Sequence, residues 1–281
     1  MDDNEGANYP KLMIAYLQLI RPLNCFMAAF AVYTATLVAG LPLLPPAAVL
    51  LGMLSVFLVC AGGMAVNDYF DIAIDRINRP KRPLAAGTIQ PRHALIYASA
   101  LFASGAALSY IISIVAFSLA LFAALLLLAY AWRLKKLLLV GHLAVSLLVA
   151  LTFVYGGALA GAYEATLYLA LLAFLSSIGR EIFKSIEDAL GDTSIGVESL
   201  AIRYGAQRAR AFASVPLMLA VVLSFIPFLN GMFGTTYLYF VSIADLMFLG
   251  AMAAPLRFSS KLCKAAMAVA LLAFLAGAVT A

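Results

Sequence analysis

Charged residues are scarce in this chain of 281 residues. Only 11% of its residues are Asp, Glu, Lys or Arg, whereas 65% are hydrophobic, and the mean hydropathy is +1.04. A soluble domain of this length cannot bury so much apolar surface. The composition therefore excludes a soluble enzyme or a soluble nucleic-acid-binding domain, and it predicts a protein that crosses a membrane several times.

The chain also has few cysteine and histidine residues, and it lacks a glycine-rich phosphate-binding loop. Its three cysteines (Cys25, Cys60, Cys263) lie in or beside apolar runs and show no pairing or metal-ligand spacing, so we expect them to be packing residues. The two histidines share no ligand spacing with them. No GxxxxGK[ST] phosphate loop is present. A disulfide framework, a zinc centre and a P-loop nucleotide site are thereby excluded as interpretations.

Long apolar runs dominate the rest of the sequence. Because a helix needs roughly 20 apolar residues to cross a bilayer, the runs predict nine transmembrane helices in an all-α polytopic protein. No linker divides them, so we expect residues 1–281 to form a single domain. The predicted spans are approximately residues 20–40, 44–66, 94–112, 115–133, 138–160, 166–184, 211–229, 236–255 and 263–280.

The basic residues indicate an orientation. All 18 Lys and Arg residues lie before or at the start of the first predicted span, at the end of the sixth span, or at the connections that follow the even-numbered spans. The positive-inside rule places that side in the cytoplasm. We therefore expect an integral cell-membrane protein with a cytoplasmic N-terminus and an external C-terminus.

Acidic residues form two clusters on the predicted cytoplasmic side. The first contains Asn67, Asp68, Asp71 and Asp75, of which residues 67, 71 and 75 repeat every four positions and so share one face of a helix. An alternative is a helix end whose acids pair with basic residues at positions 76, 79 and 81.

The second cluster contains Glu187, Asp188 and Asp192, again with two acids four residues apart. Close carboxylates repel each other near lipid, and a hard divalent cation relieves that repulsion. Two acidic helix ends could each bind one Mg²⁺ and hold a diphosphate between them; structural ion pairs remain the alternative. The expected metal ligands are Asn67, Asp68, Asp71, Asp75, Asp188 and Asp192, with Asp71 and Asp188 essential for catalysis.

Basic and aromatic residues near the clusters are candidate substrate contacts. Arg82 and Lys135 could bind phosphate oxygens, although topogenic charge or anchoring at the interface would also explain them. Tyr130 could stabilise a carbocation through its ring face, or belong to an interfacial aromatic belt. An acceptor's phosphate or carboxylate could be bound by Arg21, Arg180 and Lys184.

These motifs together resemble the UbiA superfamily of intramembrane prenyltransferases. The resemblance is carried by Asn67-Asp68-x-x-Asp71-x-x-x-Asp75, by the Arg79–Gly87 stretch, and by Asp188-x-x-x-Asp192-x-x-x-Gly196. It implies a helical bundle around a central cavity with a cytoplasmic cap, two Mg²⁺ ions and a prenyl diphosphate donor.

Within that superfamily, residues 179–188 and Arg21-Pro22-x-Asn24 resemble the archaeal geranylgeranylglyceryl phosphate geranylgeranyltransferases. The resemblance implies Mg²⁺-dependent transfer of a geranylgeranyl group to geranylgeranylglyceryl phosphate, which forms an ether phospholipid. An aromatic acceptor such as 4-hydroxybenzoate or a quinone precursor is the alternative. A cation-coupled transporter, suggested by the isolated Asp245, is the alternative outside enzymes. We expect contact with membrane lipids, no nucleic acid, and no implied protein partner.

Overall fold

The structure is a computed structural model, and it describes residues 9–191 and 200–280. Those residues form α-helices joined by short connections, with no β-strand among them. The helices are α1 (Tyr9–Ile20), α2 (Pro22–Val38), α3 (Ala47–Phe70), α4 (Ile72–Asn78), α5 (Pro91–Ile112), α6 (Ile114–Trp132), α7 (Val140–Ala160), α8 (Glu164–Gly191), α9 (Leu200–Tyr204), α10 (Ala206–Leu223), α11 (Ile226–Leu229), α12 (Thr235–Ala253) and α13 (Leu256–Thr280). A 3-10 turn, Leu134–Lys136, precedes α7.

The apolar helices confirm the all-α, polytopic prediction. Eight helices in the described ranges are long and apolar enough to cross a membrane, and α1 with α2 forms a pair bent by 48° that brings the number to nine when counted as one span. Several boundaries differ from the prediction; α13, for example, begins at Leu256 and not near residue 263. The first span begins before residue 20; the charged residues Lys11 and Arg21 interrupt its apolar pattern in the sequence. The helix α8 continues past residue 184 as far as Gly191.

The bend between α1 and α2 lies at Arg21. This residue has a φ of 49°, and it is the one residue other than glycine with a positive φ in the part of the chain that the structure describes. A left-handed backbone costs a side-chain-bearing residue roughly 1–2 kcal/mol. Pro22 follows and disfavours a helical conformation at the residue before it. The sequence therefore stops α1 and restarts α2 here.

The chain folds into two compact units. The first comprises the residues up to Phe30 together with Ala47–Trp132, so it holds α1, the start of α2, and α3 to α6. In this unit the Ser55 hydroxyl of α3 lies 2.6 Å from the Ser109 hydroxyl of α5 and donates to the Gly105 carbonyl at 2.7 Å. Small and hydroxyl-bearing residues thus allow close contact between apolar helices.

The second unit comprises Ala31–Pro46 and the chain from Arg133 onward. Here α8 approaches α10 so closely that a Cβ on Gly179 would lie 2.8 Å from the Ala213 carbonyl oxygen. Asp245 is buried in α12, where it accepts a hydrogen bond of 2.7 Å from the Ser224 hydroxyl at the end of α10. That contact gives the carboxyl a partner inside the unit.

Candidate functional site

The first acidic cluster lies where α3 ends and α4 begins. Asn67 and Asp68 belong to the last turn of α3, and Asp71 is the single residue between the two helices. The Asp71 amide donates to the Asn67 carbonyl at 3.1 Å, and the Asp75 amide donates to the Asp71 carbonyl at 2.7 Å. Because four-residue hydrogen bonds continue across the junction, the predicted repeat of residues 67, 71 and 75 is preserved.

Two acids of this cluster bind arginines. Arg82 donates from Nη1 to Asp75 Oδ2 at 2.6 Å and to Asp68 Oδ1 at 3.2 Å, while Arg21 donates to Asp68. The carboxylates are 3% and 8% exposed, so these charges are held away from water. Buried charges need such partners. The structure therefore links these two acids to residues 21 and 82.

The other two members of the cluster face each other. Asn67 Nδ2 lies 3.0 Å from Asp71 Oδ2, and both side chains are half-buried. The amide orientation is assigned from hydrogen bonding, and a rotation about its terminal torsion exchanges nitrogen for oxygen. Asn67 and Asp71 can thus present two hard oxygen atoms at one place, which suits Mg²⁺.

A rigid connection follows the cluster. Backbone hydrogen bonds run from the Arg82 amide to the Arg79 carbonyl at 2.9 Å and from the Thr88 amide to the Pro83 carbonyl at 2.9 Å. Leu84 and Ile89 bury their side chains beneath it. These contacts fix the segment that carries Arg82. Next to it lies a cleft of about 500 Å³, lined by Gln18, Arg21, Asp68, Asn78, Arg79, Pro80, Lys81, Arg82 and Pro83.

The second cluster lies near the end of α8, which continues unbroken through residues 184–188. Glu187 accepts hydrogen bonds of 2.8 Å from both the amide and the hydroxyl of Ser260 in α13, so its carboxylate joins two helices. Asp188 is exposed. Asp192 lies outside the described residues. Of the two carboxylates of this cluster that the structure describes, Asp188 is therefore the one available to a ligand.

One turn earlier on α8, Arg180 and Lys184 share a carboxylate. Arg180 forms an ion pair with Glu181, and Lys184 Nζ lies 3.9 Å from Glu181 Oε2. Glu181 is buried, and within the described ranges the Nε atom of Arg180 is buried without a hydrogen-bond partner. The sequence identified both basic residues but gave no role to Glu181. Its spacing of one and three residues from the two cations was the available signal.

Tyr130 and Lys135 lie in different units. Tyr130 is half-buried in the last turn of α6, in the first unit. Lys135 is half-buried in the 3-10 turn of the second unit. A Cβ on Gly141 would lie 3.0 Å from the Lys135 Cα, so glycine is required for this turn to lie against α7.

The ligands available for a metal are few. Within residues 9–191 and 200–280, no three His, Cys, Asp or Glu side chains converge as a metal site. Mg²⁺ commonly uses one or two carboxylates and completes its shell with water and substrate phosphates. Asn67 with Asp71 satisfies that requirement, so the donor chemistry of the first cluster fits Mg²⁺.

Comparison with known proteins identifies the family of the chain. Residues 28–278 match the model of the UbiA prenyltransferase family. The chain belongs to this family. Its apolar helices and its UbiA membership together make it an integral membrane prenyltransferase.

Individual UbiA relatives cover nearly the whole chain. A digeranylgeranylglyceryl phosphate synthase of Methanosarcina mazei is 40% identical, over 93% of this chain and 97% of its own length. A solved structure of a digeranylgeranylglyceryl phosphate synthase superposes with a TM-score of 0.79 at 37% identity, covering 96% and 99% of the two chains. An Archaeoglobus fulgidus UbiA homologue bound to GPP and Mg²⁺ shares the fold, with a TM-score of 0.72, 21% identity and coverage of 95% and 100%.

Proposed function

We propose that this UbiA member transfers a geranylgeranyl group from geranylgeranyl diphosphate to geranylgeranylglyceryl phosphate, with Mg²⁺ as cofactor. In this reaction the allylic C–O bond to the diphosphate breaks. The glyceryl hydroxyl forms a new ether bond to the allylic carbon and loses its proton, and pyrophosphate leaves. The observation that carries the proposal is the 40% identity, over 93% of the chain, to a synthase named for the product of this reaction.

The metal ligands in this proposal come from both clusters. Asn67 and Asp71 hold one ion, while Asp188 and Asp192 hold a second. The contact between the Asn67 amide group and the Asp71 carboxylate supports the first assignment, and the exposed position of Asp188 supports the second. When bound, Mg²⁺ neutralises charge on the diphosphate and makes pyrophosphate a better leaving group.

For Asp68 and Asp75 we propose a role that differs from the metal contact expected from the sequence. Their carboxylates already receive guanidinium hydrogen bonds, so we assign them to holding arginines in place and not to direct metal contact. Arg82 then presents its remaining N–H groups to phosphate oxygens, a geometry that a planar guanidinium favours.

The remaining candidate residues stabilise positive or negative charge on the substrates. The half-buried ring of Tyr130 stabilises positive charge that develops on the allylic carbon. Lys135 contributes a cation toward the leaving pyrophosphate. Arg180 and Lys184, which share Glu181, assist anionic substrate groups from α8. The site must exclude water, because water would capture an allylic cation before the acceptor does.

The orientation and domain assignments belong to the same proposal. Both acidic clusters face the cytoplasm, the C-terminus lies outside, and the two compact units together form one transferase domain. The location of all 18 basic residues on one predicted side supports this orientation.

Acceptor profiling tests the proposal. Purified protein is incubated with radiolabelled geranylgeranyl diphosphate, Mg²⁺, and either geranylgeranylglyceryl phosphate or 4-hydroxybenzoate. We expect labelled ether lipid with the first acceptor, no product in EDTA, and recovery when Mg²⁺ is restored. Product with 4-hydroxybenzoate alone would overturn the acceptor assignment, and full activity in EDTA would overturn the metal assignment.

A further inference from the structure

The cleft beside the first cluster differs in charge from a metal site. Four of its lining residues are basic (Arg21, Arg79, Lys81, Arg82), and one is acidic, Asp68. Asp75, which binds Arg82, supplies a second negative charge. Two positive charges remain in excess. A phosphomonoester carries about −1.5 to −2 at neutral pH, so it would neutralise this excess without a metal ion.

Two arginines of the cleft are held in fixed positions. Arg82 is restrained by two carboxylates and by the hydrogen-bonded connection on which it lies. Arg21 is restrained by Asp68 and lies 3.8 Å, through Nη1, from the sulfur of Met64. Fixed guanidinium groups lose little freedom on binding an anion, so they favour a ligand of defined geometry.

The backbone at Arg21 supports a binding role. A positive φ at a residue other than glycine is retained only where the surroundings enforce it, and such strain is concentrated at ligand sites. Here it coincides with the bend between α1 and α2 and with the wall of the cleft. The bend brings Gln18 and Arg21 to the same opening as residues 78–83.

We propose that this cleft binds the phosphomonoester of the acceptor lipid, separately from the donor diphosphate. Arg21 and Arg82 bind its oxygens, Arg79 and Lys81 contribute further charge, and Asp68 positions both arginines. This inference rests on the proposed function, because it assigns the acceptor of that reaction to a place in the first unit. The volume of about 500 Å³ lies within the range of small-molecule sites, roughly 300–1,000 Å³.

The assignment predicts how the enzyme selects its acceptor. An acceptor that lacks the phosphate would leave the guanidinium groups without their anion, whereas the donor would bind unchanged. Loss of the charge on one cleft residue should therefore reduce the preference for a phosphorylated acceptor by about 10-fold, the effect of one charge-assisted hydrogen bond.

The experiment uses full-length protein and two exposed cleft residues, in the variants Arg79→Gln and Lys81→Gln and in the double variant. Arg92→Gln, exposed at the start of α5 and outside the cleft lining, is the matched control. The ratio of kcat/KM for geranylgeranylglyceryl phosphate to that for geranylgeranylglycerol is measured, together with the KM for the donor. We expect the ratio to fall in the cleft variants alone, with the donor KM unchanged. A raised donor KM with an unchanged ratio would overturn the assignment.

A binding measurement separates this inference from the proposed function. Binding of geranylgeranylglyceryl phosphate is measured in EDTA without donor, for the wild type, for Arg21→Gln and for the double variant. We expect metal-free binding to the wild type and weaker binding to both variants. Absence of binding, or equal binding by all three, would overturn the cleft assignment even if transfer occurs. Binding without any transfer would preserve it and contradict the proposed function.

Discussion

The two acidic clusters share a four-residue spacing but differ in their surroundings. In the first, α3 ends, one residue intervenes, and two of the acids bind Arg82 of the following connection, while Asp68 also binds Arg21 of the bend between α1 and α2. In the second, α8 runs on without a break, and Glu187 is held by Ser260 of α13. The first cluster therefore lies beside a cleft lined by basic residues, whereas Asp188 is the exposed carboxylate among the described residues of the second.

The comparison shows that spacing alone does not define the role of a carboxylate. The Asn67 amide contacts the Asp71 carboxylate, while Asp68 and Asp75 bind arginines. Whether a carboxylate can bind a ligand depends on whether it already accepts hydrogen bonds from a guanidinium or hydroxyl group. The predictions below test that distinction, beginning with the largest expected effect.

Removal of the ligand carboxylates should be most damaging. We expect Asp71→Ala and Asp188→Ala each to lower kcat/KM by at least about 100-fold, since even changes behind the ligands of a metal cost about 10–100-fold. Steady-state transfer assays measure the loss, and thermal unfolding in detergent should show little change. Near-normal turnover by either variant would count against its role as a metal ligand.

Loss of the carboxylate that joins two arginines should affect stability as well as acceptor use. In Asp68→Asn, Arg21 and Arg82 lose a buried charge partner, and we expect about 2 kcal/mol of destabilisation, less than for a fully buried pair because both arginines are partly exposed. Thermal unfolding checks the shift. The KM for the acceptor should rise more than the KM for the donor. A purely donor-side effect would instead support a metal role for Asp68.

Glu187→Gln should have a smaller effect. The amide can retain one of the two bonds to Ser260, so we expect about 1 kcal/mol of destabilisation and at most a modest change in turnover. Ser260→Ala is the matched variant on α13 and should lower the unfolding temperature similarly. A loss of activity as large as that of Asp188→Ala would show that Glu187 contacts a ligand.

Glu164→Gln should be silent. This residue begins α8, at the opposite end of the helix from Asp188, and the proposed orientation places it outside. Transfer rate and unfolding temperature are the readouts. Strong inactivation would challenge the assigned sidedness of the membrane protein.

Local pattern accounts for much of the fold and for part of the site. The apolar runs predicted the spans, and the repeat of residues 67, 71 and 75 predicted helical spacing, which the four-residue backbone hydrogen bonds continue across the α3–α4 junction. Both features depend on neighbours a few residues apart, which sequence periodicity reveals.

Contacts between residues that lie far apart in the sequence could not be predicted from local pattern. Arg21 lies 47 residues before Asp68, and the two meet because α1 bends against α3 through a backbone conformation that side-chain-bearing residues rarely adopt. Likewise, Ser224 satisfies Asp245 from 21 positions away. Such contacts depend on helix packing, so the sequence identified the charged residues without identifying their partners.

The most direct test of the account is metal-dependent binding of the donor. A non-hydrolysable analogue of geranylgeranyl diphosphate is titrated into the wild type, Asp71→Ala and Asp188→Ala, with Mg²⁺ and with EDTA. The account predicts tight binding only by the wild type with Mg²⁺, and binding at least about 100-fold weaker in EDTA or in either variant. Equally tight binding in EDTA, or by either variant, would contradict it.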